Sequence, residues 1–338
     1  MVDVPPLRIG ILGAARIAPM ALIHPAKRNA AVTIAAVAAR DRDRAAAFAA
    51  KHGIPTVHAS YEALIDDPGI DVIYNPLPNG LHGLWSIRAM EAGKDVLCEK
   101  PLAANADEAA AMVDAARRTG RRLVEAFHYR YHSLVEHTRD IIASGEIGAV
   151  RHYEASFVIP IVRGGDIRYR YDLAGGATMD AGCYPIHFIR TLAAAEPEVI
   201  SAVALEGPVH IDRDVTAQLR FADGRTARMT CGLWSRRVLQ IRARVEGEKG
   251  SIDIFNFVAP QLYNSIRVRA GGKPRRERAR GPSSYRAQLD AFAAGLRNGT
   301  AVPTEGQDSI DNMRVIDAVY RAAGLPLRQP SGREARRD

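Results

Sequence analysis

A chain of 338 residues is longer than one hydrophobic core usually serves, so about two domains are expected. With 47% hydrophobic and 25% charged residues it falls in the globular range and outside the disordered, collagen-like and membrane classes. The formal charge of +8 suggests nucleic acid, but residues 1–126 are nearly neutral, with 15 basic and 14 acidic side chains, and the excess lies beyond them.

Short β-rich runs at 7–12, 32–38, 72–75, 96–98 and 122–126 alternate with Ala- and Leu-rich segments at helical spacing. Asn105 and Glu108 form a capping-box-like pair ahead of a helix that stops at Gly120. This βα grammar predicts a doubly wound parallel sheet over residues 1–126. It then changes. A helix over 132–144, a strand over 152–159, a polar loop, a helix over 180–194 and two hairpin patterns follow, the hairpins being 216–221 with 226–233 and 240–246 with 251–255. Helices over 284–297 and 309–323 close the pattern. The fold class is α/β for the first domain, with an α+β domain over 127–330 built on a large, predominantly antiparallel open sheet; residues 331–338 read as a disordered tail.

Arg267, Arg269, Lys273, Arg275, Arg276, Arg278 and Arg280 crowd a Gly/Pro-rich stretch, and Arg333, Arg336 and Arg337 sit in the tail. No aromatic residue interleaves them, so they read as a solvated loop and a frayed end, with neither nucleic acid nor membrane as a partner. Cys98, Cys183 and Cys231 lie far apart without a C-x-x-C pair, which argues against a disulfide framework and structural zinc and suits a reducing compartment. The first six residues lack the basic and apolar segments of a secretory signal, so the cytoplasm is expected.

The first strand runs into Gly13-Ala14-Ala15-Arg16-Ile17-Ala18, the place of a G-x-G-x-x-G/A dinucleotide fingerprint. Gly13 permits the tight turn, Ala15 lets the backbone approach a pyrophosphate, and Ala18 lets helix and strand pack closely. The helix N-terminus that follows offers N–H groups and a positive dipole end to the phosphates. Ala15 replaces the second glycine, and Gly10 lies too early to be that residue; the signal gains force from opening a βαβ pattern. The second strand ends Ala39-Arg40-Asp41-Arg42. An acidic residue there suits the ribose diol of NAD, and Arg suits a 2′-phosphate, so Arg40 favours NADP(H) while Asp41 keeps NAD(H) open.

Residues Ala92-Gly93-Lys94-Asp95-Val96-Leu97-Cys98-Glu99-Lys100-Pro101, at the end of the strand over 96–98, resemble the signature of the Gfo/Idh/MocA oxidoreductases. The resemblance covers nearly the whole chain. It implies a nicotinamide cofactor, oxidation or reduction of a sugar, polyol or cyclic diol, and a homodimer or homotetramer formed through the C-terminal sheet. It assigns Lys100 to the reacting oxygen, with a cis bond before Pro101. Pro76, Leu77, Asn79 and His82 match the loop bordering the nicotinamide, and Glu99 the carboxylate beside its ribose; His82, which opens a helix, also suits a capping or packing role. In the second domain Asp180 and Tyr184 stand where the family has D-x-x-x-H, in the Tyr-containing branch that resembles dihydrodiol dehydrogenase, xylose dehydrogenases and nucleotide-sugar ketoreductases. Spacing of four puts both on one helix face. Tyr184 suits general acid/base chemistry, because a nearby cation favours phenolate, or else a core aromatic. His187, Arg130 and Arg168 are further substrate candidates, with a packed His187 equally open. His128 and His132 have helical spacing but no carboxylate motif, so no metal is expected. The rival to an enzyme is a non-catalytic NAD(P)-binding sensor, which has no need of Lys100, Asp180 and Tyr184 together.

Overall fold

The computed structural model describes residues 5–161 and 165–332, which form two compact units. The first runs to His128 and regains Tyr285–Ile310; the second comprises Tyr129–Ser284 and the residues from Asp311 on. Arg333, Arg336 and Arg337 lie outside the described residues.

In the first unit, β1 (Leu7–Leu12), β2 (Val32–Ala38), β3 (Thr56–His58), β4 (Val72–Asn75), β5 (Asp95–Cys98) and β6 (Leu123–Glu125) form one sheet of order β3-β2-β1-β4-β5-β6. Every pairing in it is parallel. Gly10 lies within β1, where an added Cβ would stand 2.6 Å from Leu64 Cδ2. Helix Arg42–His52 starts where Asp41 accepts from Arg44 N at 3.0 Å and stops at Gly53, whose φ of +71° favours glycine. Helix Ala106–Thr119 starts where Asn105 accepts from Glu108 N at 2.9 Å. The Glu108 side chain reaches back to Ala104 N at 2.7 Å.

The sequence boundaries give residues 127–330 to the second domain, but Tyr285–Ile310 returns to the first. Helix Ser284–Asn298 inserts Leu289, Phe292 and Ala293 into a core with Ile9, Leu22, Val37 and Val72. Arg122 holds Glu305 with three hydrogen bonds of 2.6, 2.8 and 3.1 Å, and Thr304 pairs with both backbone groups of Glu125. Burial of one apolar helix face therefore outweighs proximity in sequence.

The second unit holds β7 (Val150–Val158), β8 (Glu198–Glu206), β9 (Asp212–Arg220), β10 (Thr226–Gly232), β11 (Gln240–Gly247), β12 (Gly250–Phe255), β13 (Ser265–Ala270) and β14 (Arg275–Glu277). Their order is β14-β13-β12-β11-β7-β10-β9-β8, antiparallel except where β7 meets β10. One face carries Tyr153, Phe157, Val215, Met229, Val245 and Ile254, all buried, with helix Cys183–Ala193 packed against β7 and β10. The basic stretch is corrected: it supplies β13 and β14 rather than a loop. Ile266 and Val268 are buried while Arg267 between them is exposed, which is the period-two alternation of a half-buried strand. Ser331, which the sequence assigns to a disordered tail, is buried, and its hydroxyl donates to Asp172 O.

Burial pushes the Glu108 carboxyl from 4.5 to about 7. Below pH 4.5 it is protonated in folded and unfolded chains alike; from there to about 7 the unfolded chain ionises first, so stability falls as pH rises. Glu108→Gln should leave the urea midpoint nearly unchanged at pH 4.5 and raise it at pH 8, by an amount corresponding to about 3 kcal/mol at most. An equal shift at both pH values would show that this carboxyl does not titrate as stated.

Candidate active site

Strand order in the parallel sheet reverses between β1 and β4, and doubly wound sheets take their ligands outside the carboxyl ends of the strands at such a point. The loops leaving these two strands are the glycine turn and residues 76–79. Gly13 has a φ of +84°, and its N–H donates to Ala38 O at 2.6 Å. A Cβ there would lie 3.1 Å from Leu77 Cδ2, so the two loops adjoin and the turn requires glycine on two grounds. Ala14 and Ala18 are buried, Ala15 and Ile17 half-buried, and Arg16 exposed. The helix beyond is short, with a π-wound segment Pro19–Ile23 followed by His24–Ala26.

Arg40 is exposed just past the end of β2. Asp41, the candidate for a ribose diol, is engaged as a helix cap. Arg44, which the sequence reading passed over, donates from Nη2 to Ala14 O at 3.1 Å and so reaches the glycine turn. Its only sequence signal is the four-residue spacing from Arg40. Two guanidiniums and a small-residue turn suit a dinucleotide with a 2′-phosphate better than a bare diol.

Glu99 and Lys100 are half-buried at the carboxyl end of β5, and the Lys100-Pro101 bond is cis. Glu99 accepts from the Tyr74 hydroxyl at 2.7 Å; burial and this carboxylate push the Tyr74 phenol well up. The buried loop after Lys100 has its backbone groups met by side chains. Leu102 N donates to Glu125 Oε1 at 2.8 Å and Ala104 N to Glu108, while Pro101 O lies 2.9 Å from His82 Nδ1. His82 Nε2 lies 2.7 Å from Leu77 O. Burial lowers the His82 pKa to about 4 against the pull of these carbonyls, so the ring is neutral at pH 7. Fully buried, it braces the loop of Leu77 against that of Pro101. Asn79 opens the turn Asn79–Leu81 and is half-buried, as are Pro76 and Leu77.

In the second unit, the helix expected over 180–194 begins as a π-wound segment, Thr178–Gly182, and continues as Cys183–Ala193. Asp180 accepts from Arg168 Nε at 2.8 Å, and Arg168 Nη1 reaches Asp166 Oδ1 at 3.0 Å. These carboxylates, Asp180 foremost, raise the Arg168 pKa. Tyr184 is 6% exposed, with its ring edge-on to Phe157 at 5.4 Å and tilted against Tyr129 at 5.9 Å. His187 is 1% exposed, and its Nδ1 lies 2.5 Å from the Tyr129 hydroxyl, which places it in the interior. Arg130 pairs with Glu136 at 2.6 Å. His128 stacks on Tyr285, and His132 caps a helix by accepting from Leu134 N. Among the described residues no three His, Cys, Asp or Glu side chains are grouped to hold a metal ion, and no helix is long and apolar enough to cross a membrane.

Two family models match the chain: an oxidoreductase family with an NAD-binding Rossmann fold over residues 7–127, and the GFO/IDH/MocA C-terminal domain over 135–253. An NADP(+)-dependent D-xylose 1-dehydrogenase from Haloferax volcanii is 36% identical over 319 residues, which cover 94% of this chain and 97% of that one. A dTDP-3,4-didehydro-2,6-dideoxy-α-D-glucose 3-reductase from Saccharopolyspora spinosa is 35% identical over 331 residues, 96% of this chain and 98% of that one. Among solved structures, a 3-ketoreductase from Actinomadura kijaniata in complex with NADP and TDP-benzene superposes with a TM-score of 0.89 at 30% identity, over 94% of this chain and 98% of that one. The same ketoreductase also matches as variants in which a Tyr is replaced by Phe and a Lys by Ala. The chain belongs to the Gfo/Idh/MocA family and is an NAD(P)-binding oxidoreductase.

Arg44→Gln should raise the KM for NADP+ about tenfold relative to that for NAD+, the size of one charge-assisted hydrogen bond. Equal losses with both cofactors would mean that Arg44 serves only to hold the glycine turn.

Proposed function

We propose that this protein is an NADP(H)-dependent dehydrogenase or reductase acting at one carbinol or carbonyl carbon of a sugar, polyol or cyclic diol. The observation that carries the reading is Lys100, held at the carboxyl end of β5 by a loop whose backbone groups are met by His82, Glu125 and Glu108. The family relatives, with xylose and dTDP-sugar substrates in their names, support the substrate class. Arg40 and Arg44 support NADP(H) over NAD(H).

Bound NADP(H) supplies or accepts a hydride at its nicotinamide C4. In the oxidative direction the Tyr184 phenolate accepts the substrate hydroxyl proton, and in the reductive direction the phenol returns it. The Lys100 ammonium stabilises the negative charge that develops on the substrate oxygen. Asp180, oriented by Arg168, accepts hydrogen bonds from substrate hydroxyls. Glu99, Asn79, Pro76 and Leu77 would border the nicotinamide and its ribose when the cofactor is bound, and residues 13–17 would hold the pyrophosphate. The exposed face of the eight-stranded sheet supports a homodimer or homotetramer, and three buried cysteines outside any disulfide suit the cytoplasm.

The test is a panel of sugars, polyols and dihydrodiols followed at the nicotinamide absorbance with both cofactors and in both directions. Tyr184→Phe should lower kcat by about 100-fold or more while the Kd for NADP+ stays within about twofold. Unchanged turnover in that variant would overturn the assignment of Tyr184, and tight cofactor binding with no turnover of any panel member would favour a sensor.

A further inference from the structure

Beyond helix Gln307–Ala322 the described residues form no helix or strand, yet Arg328 among them is completely buried. Arg328 Nη2 stands 2.6 Å from Asp212 Oδ1, and both side chains are 0% exposed. Its Nε donates to Gly175 O at 2.6 Å, Nη2 also to His210 O at 3.0 Å, and Nη1 to Pro326 O at 3.1 Å. The guanidinium lies over the rings of Tyr320 and Tyr171, 4.3 and 4.9 Å from their centroids. Asp212 is equally committed. Its Oδ2 accepts from Thr178 N and Thr178 Oγ1, both at 2.6 Å, and its Oδ1 accepts from the Tyr320 hydroxyl at 3.1 Å.

Both partners thus grip residues 175–178, the run that leads into Asp180. The other side of this run is tied to the loop carrying Arg168, because Gly175 N donates to Arg170 O at 2.9 Å and Gly176 N to Arg168 O at 2.8 Å. A Cβ on Gly176, whose φ is +134°, would fall 2.1 Å from Asp212 Oδ1, so the run passes too close to the ion pair for any side chain. Two more contacts fasten the C-terminal segment to the same loop: the Tyr171 hydroxyl donates to Leu327 O at 3.1 Å, and the Ser331 hydroxyl to Asp172 O.

A buried ion pair is poor evidence for stability, since well-packed apolar residues often serve a core as well or better. What apolar residues cannot do is direct a carbonyl and an N–H at fixed angles, and a guanidinium fork facing a carboxylate does so. We propose that Arg328 and Asp212 are positioning residues for the oxidoreductase reaction. The C-terminal segment, through them, fixes residues 175–178 and thereby the geometry of the Arg168 and Asp180 pair and the start of the helix bearing Tyr184. This rests on the assignment of Asp180 and Tyr184 to the substrate side.

The experiment compares Arg328→Met, Arg328→Lys and the double variant Arg328→Met/Asp212→Leu with the parent, each normalised to titrated NADP+ sites so that unfolded chains do not count. In Arg328→Met, kcat/KM for the alcohol should fall about 100-fold, the scale of a misplacement of about 1 Å, with the Kd for NADP+ within about twofold. Arg328→Lys, which keeps the charge but not the fork, should fall between it and the parent. The double variant removes the uncompensated charge but leaves Gly175 O and Thr178 N unmet, so its thermal midpoint should stay below the parent's and its turnover should not recover. The proposal is overturned if normalised turnover stays at the parent level in Arg328→Met or in the double variant. Failure of the underlying assignment reads out separately, as full activity in Tyr184→Phe.

Discussion

A backbone that leaves a sheet and turns through the interior carries N–H and C=O groups with it, and each one buried without a partner costs about 1–3 kcal/mol. Both segments to which chemistry is assigned meet this constraint in the same way. The loop after Lys100 is buried from Pro101 to Asn105, and its groups go to His82, Glu125 and Glu108. The run into Asp180 is buried from Leu173 to Met179, and its groups go to Arg328 and Asp212. Ionisable side chains are a costly choice for an interior. They are also the choice that gives direction, because charge-assisted hydrogen bonds are stronger and shorter than neutral ones.

The cost shows in the titration behaviour. Burial drives the His82 ring to the neutral form although it faces two carbonyls, only one of which a neutral imidazole can bond as donor. Burial holds Glu108 at about 7, so near neutrality it is partly protonated, with one acceptor oxygen on Ala104 N in either form. Neither group needs to touch substrate to matter. Each holds the backbone on which Lys100 is mounted, and a displaced backbone displaces the ammonium.

Much of this was legible in the sequence, and the rest was not for identifiable reasons. The parallel strands are legible because βα units repeat a strong local pattern, and the Glu99-Lys100-Pro101 run places Lys100 at a strand end. β3, with three residues, is too short to show a period. β8 carries two register irregularities that break its alternation, and β13 alternated in plain view under a heavy load of arginine. Charge density in that stretch masked the periodicity. The return of Tyr285–Ile310 to the first unit is a long-range packing choice with no local mark. Arg328 is the extreme case: a lone arginine near the end of a basic chain reads as solvated, and only the three-dimensional meeting of Asp212, Gly175 and Tyr320 explains its burial.

The charge excess takes on a different meaning in the folded chain. On the face of the second sheet away from its helix, Arg244 and Arg269 both pair with Asp253, and at the β14 edge Arg275 joins Glu146 and Glu277. Such exposed pairs contribute little stability individually. Their placement matters more. The edge strand β14 is Arg275-Arg276-Glu277, and charged edges resist pairing with another chain. The opposite edge, β8, relies on other means: Val203 is 75% exposed and Leu205 lies near it, but irregular register between β8 and β9 interrupts the flat ladder that a further strand would need. An open eight-stranded sheet has two edges to protect, and arginine at one end with bulges at the other meets that need.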